Sequence, residues 1–210
     1  MVSIEIAIRR PMEKPGPLAF FGEQFARQIG AGEYALNPFE MRALPYMTGN
    51  VLDLGCGLGN LALAAARQGA RVTALDACGN AVDDLARRAL ESGLPVWVRQ
   101  ADLEGWRPEE QWDAVASIGL LMFFDRPFAL RGLEAVRDAV KPGGVAIVNV
   151  LAEGTTFMKM FDGDNFHLFA AAELRDAFAG WNLIEDREDA FDAPEGTLKR
   201  FRTVIARRPG

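Results

Sequence analysis

The decapeptide Val51-Leu52-Asp53-Leu54-Gly55-Cys56-Gly57-Leu58-Gly59-Asn60 constrains this chain more than any other stretch. It passes from an apolar run of strand length through three glycines into a helical pattern. Glycines in such a turn let the backbone take positive φ and let a ligand approach where a Cβ would stand in the way. The spacing differs from the dinucleotide fingerprint, because the third glycine arrives one residue early and Asn60 sits where that fingerprint would have it. A pyrophosphate also favours a helix N-terminus free of nearby negative charge, whereas Asp53 stands just ahead of the turn. A carboxylate there suits a ligand carrying a cation, such as the ammonium of a methionine moiety. The plainer alternative is a tight strand-to-helix turn that binds nothing.

Downstream, apolar runs of strand length alternate with amphipathic stretches, the pattern of an α/β parallel sheet covered by helices. Strands are expected at Val51 to Leu54, Arg71 to Leu75, Pro95 to Gln100, Trp112 to Ser117 and Val145 to Leu151, with two more near Leu183 to Glu188 and Leu198 to Ala206. Helices are expected at Leu58 to Gln68, closed by Gly69, and at Asn80 to Glu91, with Val82, Leu85, Ala86, Ala89 and Leu90 on one face. A third helix begins at Asp125-Arg126-Pro127, a capping carboxylate followed by Pro in the first turn, and runs to Val140. Lys141-Pro142-Gly143-Gly144 then turns the chain into the next strand. A short helix is expected at Ala171 to Phe178. Residues 1–45 read as an aromatic-rich, helical lid segment and 46–210 as the main domain, together one structural unit.

Two further acids follow strand ends. Asp76 ends the second strand about 20 residues past the glycine turn, where a carboxylate accepts hydrogen bonds from ribose hydroxyls. Asp102 follows the third strand and is placed to accept from the exocyclic amine of adenine; its bland alternative is a loop aspartate. Acids at the carboxyl ends of three successive strands describe one crevice, the usual ligand position in open α/β sheets.

Composition narrows the partners. With 210 residues and half of them hydrophobic, one core is the default. A net charge of -6 and the absence of a basic run argue against a nucleic-acid partner. The longest apolar stretches fall short of the ~20 residues a membrane span needs. Met1 to Lys14 lacks the apolar block and cleavage site of a secretory signal, so a cytoplasmic location is expected. Cys56 and Cys78 have no partners at metal-ligand spacing and are expected to be reduced thiols, with no metal. A monomer or a homodimer is expected.

These residues resemble the class I S-adenosylmethionine-dependent methyltransferases. Asp53 to Gly59 is similar to that family's first motif, Leu75-Asp76 to its ribose-binding acid, Ala101-Asp102 to its adenine-side acid, and Val140 to Gly144 to the turn before its fifth strand. Within the class, Gly119 to Phe124, Ala172-Glu173-Leu174-Arg175, Ala179-Gly180-Trp181 and Arg200-Phe201-Arg202 resemble the tellurite-resistance, TehB-type methyltransferases. That resemblance implies a Rossmann-like seven-stranded sheet whose last strand is antiparallel, with helices on both faces. It also implies a small-molecule acceptor, with a soft sulfur, selenium or tellurium nucleophile as one candidate. Where members of that subfamily carry a His-Arg pair between the last two strands, this chain reads Ala190-Phe191-Asp192-Ala193.

For such an activity the cofactor S-adenosylmethionine is expected to lie against Asp53, Gly55, Cys56, Gly57, Asp76, Ala77, Asp102, Leu103 and Ser117. Methyl transfer is an in-line displacement, so the protein chiefly aligns a nucleophile and excludes water. Ser117 to Phe124 is expected to floor the acceptor site. Phe20, Phe21, Phe25, Ile118, Leu121 and Phe169 are the expected substrate contacts, with Tyr34 and Phe39 as further lid aromatics. His167, the only histidine, is the candidate general base if the acceptor is an alcohol or amine. Lys159, Lys199, Arg200 and Arg202 are candidates to orient an anionic acceptor, against the plainer reading of solvated strand ends. The alternatives to a methyltransferase are a nucleotide-dependent oxidoreductase, disfavoured by the glycine spacing, and a non-catalytic S-adenosylmethionine-binding module.

Overall fold

The computed structural model describes residues 16–161 and 163–210; the opening segment Met1 to Lys14 lies outside them. Two helices come first, α1 (Pro17–Ala31) and α2 (Pro38–Ala43), followed by β1 (Asn50–Leu54), α3 (Asn60–Arg67), β2 (Arg71–Asp76), α4 (Gly79–Ser92) and β3 (Val96–Gln100). Then come β4 (Trp112–Ile118), α5 (Arg126–Ala139), β5 (Val140–Leu151), α6 (Ala171–Ala177), β6 (Asn182–Ala193) and β7 (Thr197–Arg207).

The seven strands form one sheet in the order β3-β2-β1-β4-β5-β7-β6. Neighbours are parallel from β3 through β5, whereas β7 runs antiparallel to both β5 and β6. The strand order reverses at β1 and β4, and the carboxyl ends of these two strands flank the switch-point crevice where open α/β sheets bind ligands. One apolar layer joins the sheet to α5 and α6 through Val115, Leu133, Val136, Val148, Leu174 and Val204. The opposite layer joins it to α2, α3 and α4 through Ala43, Val51, Leu63, Val72, Leu85 and Ile147. The central strands β1, β4 and β5 are covered on both faces and are correspondingly buried along most of their length.

Three details depart from the sequence reading. In α4 the buried face is Ala81, Val82, Asp84, Leu85 and Ala89, while Ala86 is exposed and Leu90 is 84% exposed. Asp84 takes an inward position because Arg87 and Arg88 both pair with it, at 2.5 and 2.7 Å. The Lys-Pro-Gly-Gly turn is absorbed into β5, which starts directly at the end of α5. Val140 pairs with Trp112 and Val145 with Ala114, so the intervening residues bulge. A Cβ on Gly144 would stand 2.8 Å from the Asp113 carbonyl oxygen, which is why the bulge takes a glycine. Finally, β6 continues to Ala193, past the expected end at Glu188. It is an edge strand held in register by cross-strand ion pairs to β7, including Arg202 to Asp186 at 2.5 Å, and so needs no apolar alternation.

Candidate active site

A cavity of about 750 Å3 opens over the carboxyl ends of β1, β2 and β4 and extends to the start of β7, with α1 and α2 along its rim. Its size is that of a small-molecule or cofactor site. The glycine turn forms one wall. Gly55 and Gly59 take φ of 75° and 66°, which L side chains rarely adopt. A Cβ at Gly55 would meet Leu120 at 3.0 Å, and one at Gly57 would meet the Phe25 ring of α1 at 3.0 Å. α1 thus packs directly on the turn, and Asn80 Nδ2 ties it to α4 by donating to the Gly22 carbonyl at 2.9 Å.

Two of the three strand-end acids meet this wall differently. Asp76 accepts hydrogen bonds from the Gly57 amide at 2.7 Å and the Cys78 amide at 2.8 Å, bracing the turn. Burial raises its pKa, and the amides of Cys78, Gly57 and Ala77 oppose that rise. Asp53 is 4% exposed, and its Oδ2 has no hydrogen-bond partner. Burial, reinforced by the negative charges of Glu40 and Asp76, pushes its pKa up to about 8, against partial relief from the Ala62 amide. A native protein rarely keeps a buried carboxylate oxygen without a partner unless a ligand completes it. Asp102 is exposed at the crevice mouth, and its Oδ1 accepts from the Glu104 amide at 3.0 Å. It therefore makes the plain loop turn and lines the cavity as well.

Sequence reasoning passed over Glu40. Its carboxylate accepts from the Asn37 amide at 2.7 Å in a capping box that starts α2, and burial raises its pKa. The Asn37-x-x-Glu40 spacing signals a helix start, and nothing in it says that this glutamate also faces Asp53 across the cavity.

Of the expected cofactor contacts, Asp53, Gly55, Cys56, Gly57, Asp76, Ala77, Asp102 and Leu103 line the cavity together. Ser117 does not. It is fully buried with its hydroxyl unpartnered, because β4 alternation sends it toward α5 while Ile118 turns to the cavity. Phe20, Phe21, Phe25 and Ile118 are in the lining, as is Phe39. Leu121 and Phe169 are core residues, 1% and 0% exposed. Tyr34 packs beside α4 under Arg88, 4.0 Å from its ring centroid.

His167 is not brought to the cavity either. Its Nε2 lies 2.6 Å from a Glu173 carboxylate oxygen, its ring tilts against Phe169 at 4.5 Å, and its amide donates to the Met122 carbonyl at 3.0 Å. These bonds tie His167 to α6 and to the segment after β4, outside the cavity lining. Among the four basic candidates, Lys159 pairs with Glu195 at 2.5 Å, Arg200 with Glu188 and Arg202 with Asp186. Only Lys199 enters the lining. Both cysteines are free and buried, and burial raises both thiols.

The far side of the cavity, around β5 and β7, is apolar: Met122, Phe123, Leu151, Phe157, Met160 and Phe201. Asn149 is the buried polar exception, donating from Nδ2 to Thr203 Oγ1 at 2.9 Å with its Oδ1 unpartnered. Among the described residues, no helix is long and apolar enough to cross a membrane.

Comparison with known proteins agrees with this geometry. Residues 51–144 match the family described as "Methyltransferase domain". A ubiquinone biosynthesis O-methyltransferase of Xylella fastidiosa is 35% identical over 124 residues, 56% of this chain and 50% of that protein. A ubiquinone biosynthesis O-methyltransferase of Paramagnetospirillum magneticum is 33% identical over 138 residues, 65% of this chain and 52% of that protein. The chain therefore spans about half the length of the curated relatives it matches. In fold it is similar to TehB from Haemophilus influenzae, with a TM-score of 0.73 at 20% identity over 90% of this chain and 67% of that one. It is also similar to DhpI in its SAH complex, with a TM-score of 0.60 at 22% identity over 92% of this chain and 95% of that one. Residues 51–144 are thus a methyltransferase domain, within a chain that shares its fold with TehB and DhpI.

Proposed function

We propose that the chain transfers a methyl group from S-adenosylmethionine to a small-molecule acceptor bound on the β5 and β7 side of the crevice. The observation that carries this reading is Asp53: a buried carboxylate oxygen without a partner, facing a cavity walled by further acids. A cationic ammonium completes such a group and draws it into its charged form, whereas a pyrophosphate would add negative charge beside Glu40, Asp53 and Asp76, and this disfavours a nucleotide-dependent oxidoreductase.

The residues present fit the donor. Asp53 and Glu40 would hold its ammonium, Asp76 its ribose hydroxyls, and Asp102 and Leu103 its adenine, with Gly55 and Gly57 allowing close backbone approach. When bound, the donor supplies an electrophilic methyl carbon on a sulfonium. The chain's own part is to bind, to orient and to keep water away. Phe20, Phe21 and Phe25 of α1 cover the crevice, and Met122, Phe123 and Ile118 give the reacting end an apolar floor. With His167 outside the lining, the acceptor this reading favours is one that reaches the site already nucleophilic, a phenolate or a thiolate.

Two acceptor classes follow. An oxygen nucleophile is supported by the likeness to the ubiquinone biosynthesis O-methyltransferases over 124 to 138 residues, and an apolar body for it by the apolar lining of this flank. A soft sulfur, selenium or tellurium species is supported by the fold likeness to TehB alone, and it lacks the His-Arg pair. The whole chain incubated with methyl-labelled donor and a panel of phenols, thiols, selenite, tellurite and amines separates them. Label in phenolic products supports the reading. Label confined to selenite or tellurite favours the soft acceptor, and donor binding with no product from any class favours a binding module.

A further inference from the structure

The charges around the cavity are segregated. Asp53, Asp76, Asp102 and Glu104 lie on the side of β1, β2 and β3, Glu40 of α2 adds its charge to that of Asp53, and among the described lining residues the one cation is Lys199, at the start of β7. The sheet order places β4 and β5 between that lysine and the acids. Strand alternation selects it: Lys199 and Phe201 line the crevice, while Arg200 and Arg202 turn the other way to pair with Glu188 and Asp186 on β6. Register places Phe201 opposite Leu151, the last residue of β5, so Lys199 stands just beyond the carboxyl edge of the sheet.

The ammonium is held over an apolar surface. Its Nζ lies 4.4 Å from the centroid of the Phe157 ring, a cation–π contact that positions a charge without neutralising it. Burial lowers its pKa, and no carboxylate contributes to the shift. An ammonium partly withdrawn from water and lacking an acid beside it is a site for an anion. Of the uncharged polar residues near it, Asn149 has only its Oδ1 free, which accepts and offers nothing to a negative charge, while Asn165, also in the lining, carries an amide donor but no charge.

We propose that Lys199 is the acceptor-recognition residue of the crevice, and that the acceptor is a small molecule with an apolar or aromatic body bearing one negatively charged oxygen group. This rests on the reading of the β5 and β7 flank as the acceptor side. The anionic group binds the ammonium, Phe157, Met160 and Phe201 enclose the body, and the acids across the crevice reject the same molecule from the donor end. Charge thus sorts the two ligands before any shape discrimination.

The test uses the full chain loaded with S-adenosylhomocysteine and a probe pair matched in shape, phenylacetate and phenylacetamide, with affinities read by calorimetry or ligand-observed NMR. The wild type is expected to bind phenylacetate at least about tenfold more tightly than the amide, one decade being the scale of a single charged contact. Lys199→Met, which keeps the apolar stem, should reduce that preference to within about twofold, and Lys199→Arg should restore it. Unchanged S-adenosylhomocysteine affinity in both variants shows that the fold and the donor end are intact. A wild type without preference, a wild type that binds neither probe, or a preference that survives Lys199→Met overturns the proposal. Failure of the wild type to bind S-adenosylhomocysteine would instead remove the methyl-donor reading, whatever the probes do.

Discussion

On the β1 to β3 flank of the crevice the strand-end residues Asp53, Asp76 and Asp102 are acids, and Asp76 and Asp102 are each held by backbone amides near a strand end. On the β5 and β7 flank the lining comes from places far apart in the chain, Phe39 beside Phe201 at 4.7 Å and Phe21 beside Phe123 at 5.0 Å, with a single ammonium among them. The first flank is a fixed polar template for one ligand. The second is an apolar enclosure whose chemistry is set by which side chains happen to converge. Such a division lets one fold keep its donor and vary its acceptor.

If the first flank is the donor template, its removal should dominate every other change. Asp76→Ala deletes a ribose acceptor and both amide contacts that brace the glycine turn, so S-adenosylhomocysteine binding should weaken by about a hundredfold, at roughly 1.5–3 kcal/mol per charged bond. Calorimetry showing unchanged affinity would erase the distinction between the flanks. The next effect concerns pH. Asp53 titrates near 8 in the folded chain against an ordinary 3.8, so the folded state retains a proton that the unfolded chain loses. This contribution to stability is complete below pH 3.8 and is lost as pH rises toward about 8. Thermal unfolding of ligand-free protein should therefore show a melting temperature that falls across this window, and Asp53→Asn should flatten the fall. An identical pH slope in the variant would mean that Asp53 is not the buried acid described. The smallest effect sharpens the second flank: His167→Ala should lower thermal stability through the lost Glu173 and Phe169 contacts while leaving turnover within about twofold. A large loss of turnover with normal donor binding would return the imidazole to the acceptor site.

The same division decides what could be read from sequence. Asp53, Asp76 and Asp102 were legible because each stands at or just past the end of an apolar run, and local spacing fixes where a strand ends, whereas Glu40 was not, because its spacing to Asn37 signals only a helix start. The parallel strands were legible for the same reason. Ser117 was misplaced because a strand faces two ways, and one residue of register separates the cavity from the core. Leu121 and Phe169 were misplaced because an apolar residue beside a site is equally suited to packing beneath it. Lys199 could not be told from Arg200 and Arg202 by its neighbours in the sequence alone. Only the register of β7 and the acids of β6 show which of them keep partners on the outer face. Asp84 shows the converse, an acid buried on the apolar face of a helix because two arginines on the same helix satisfy it.

The central claim, that the turn from Gly55 to Gly59 with Asp53 and Asp76 receives a sulfonium nucleoside and not a pyrophosphate, is tested most directly by calorimetry on the whole chain. S-adenosylmethionine and a nicotinamide dinucleotide would be titrated under the same conditions in two buffers of different ionisation enthalpy. The account predicts one saturable site for S-adenosylmethionine, with proton release near neutral pH as the ammonium draws Asp53 into its charged form, and no uptake of the dinucleotide. Saturable binding of the dinucleotide with none of S-adenosylmethionine would contradict it.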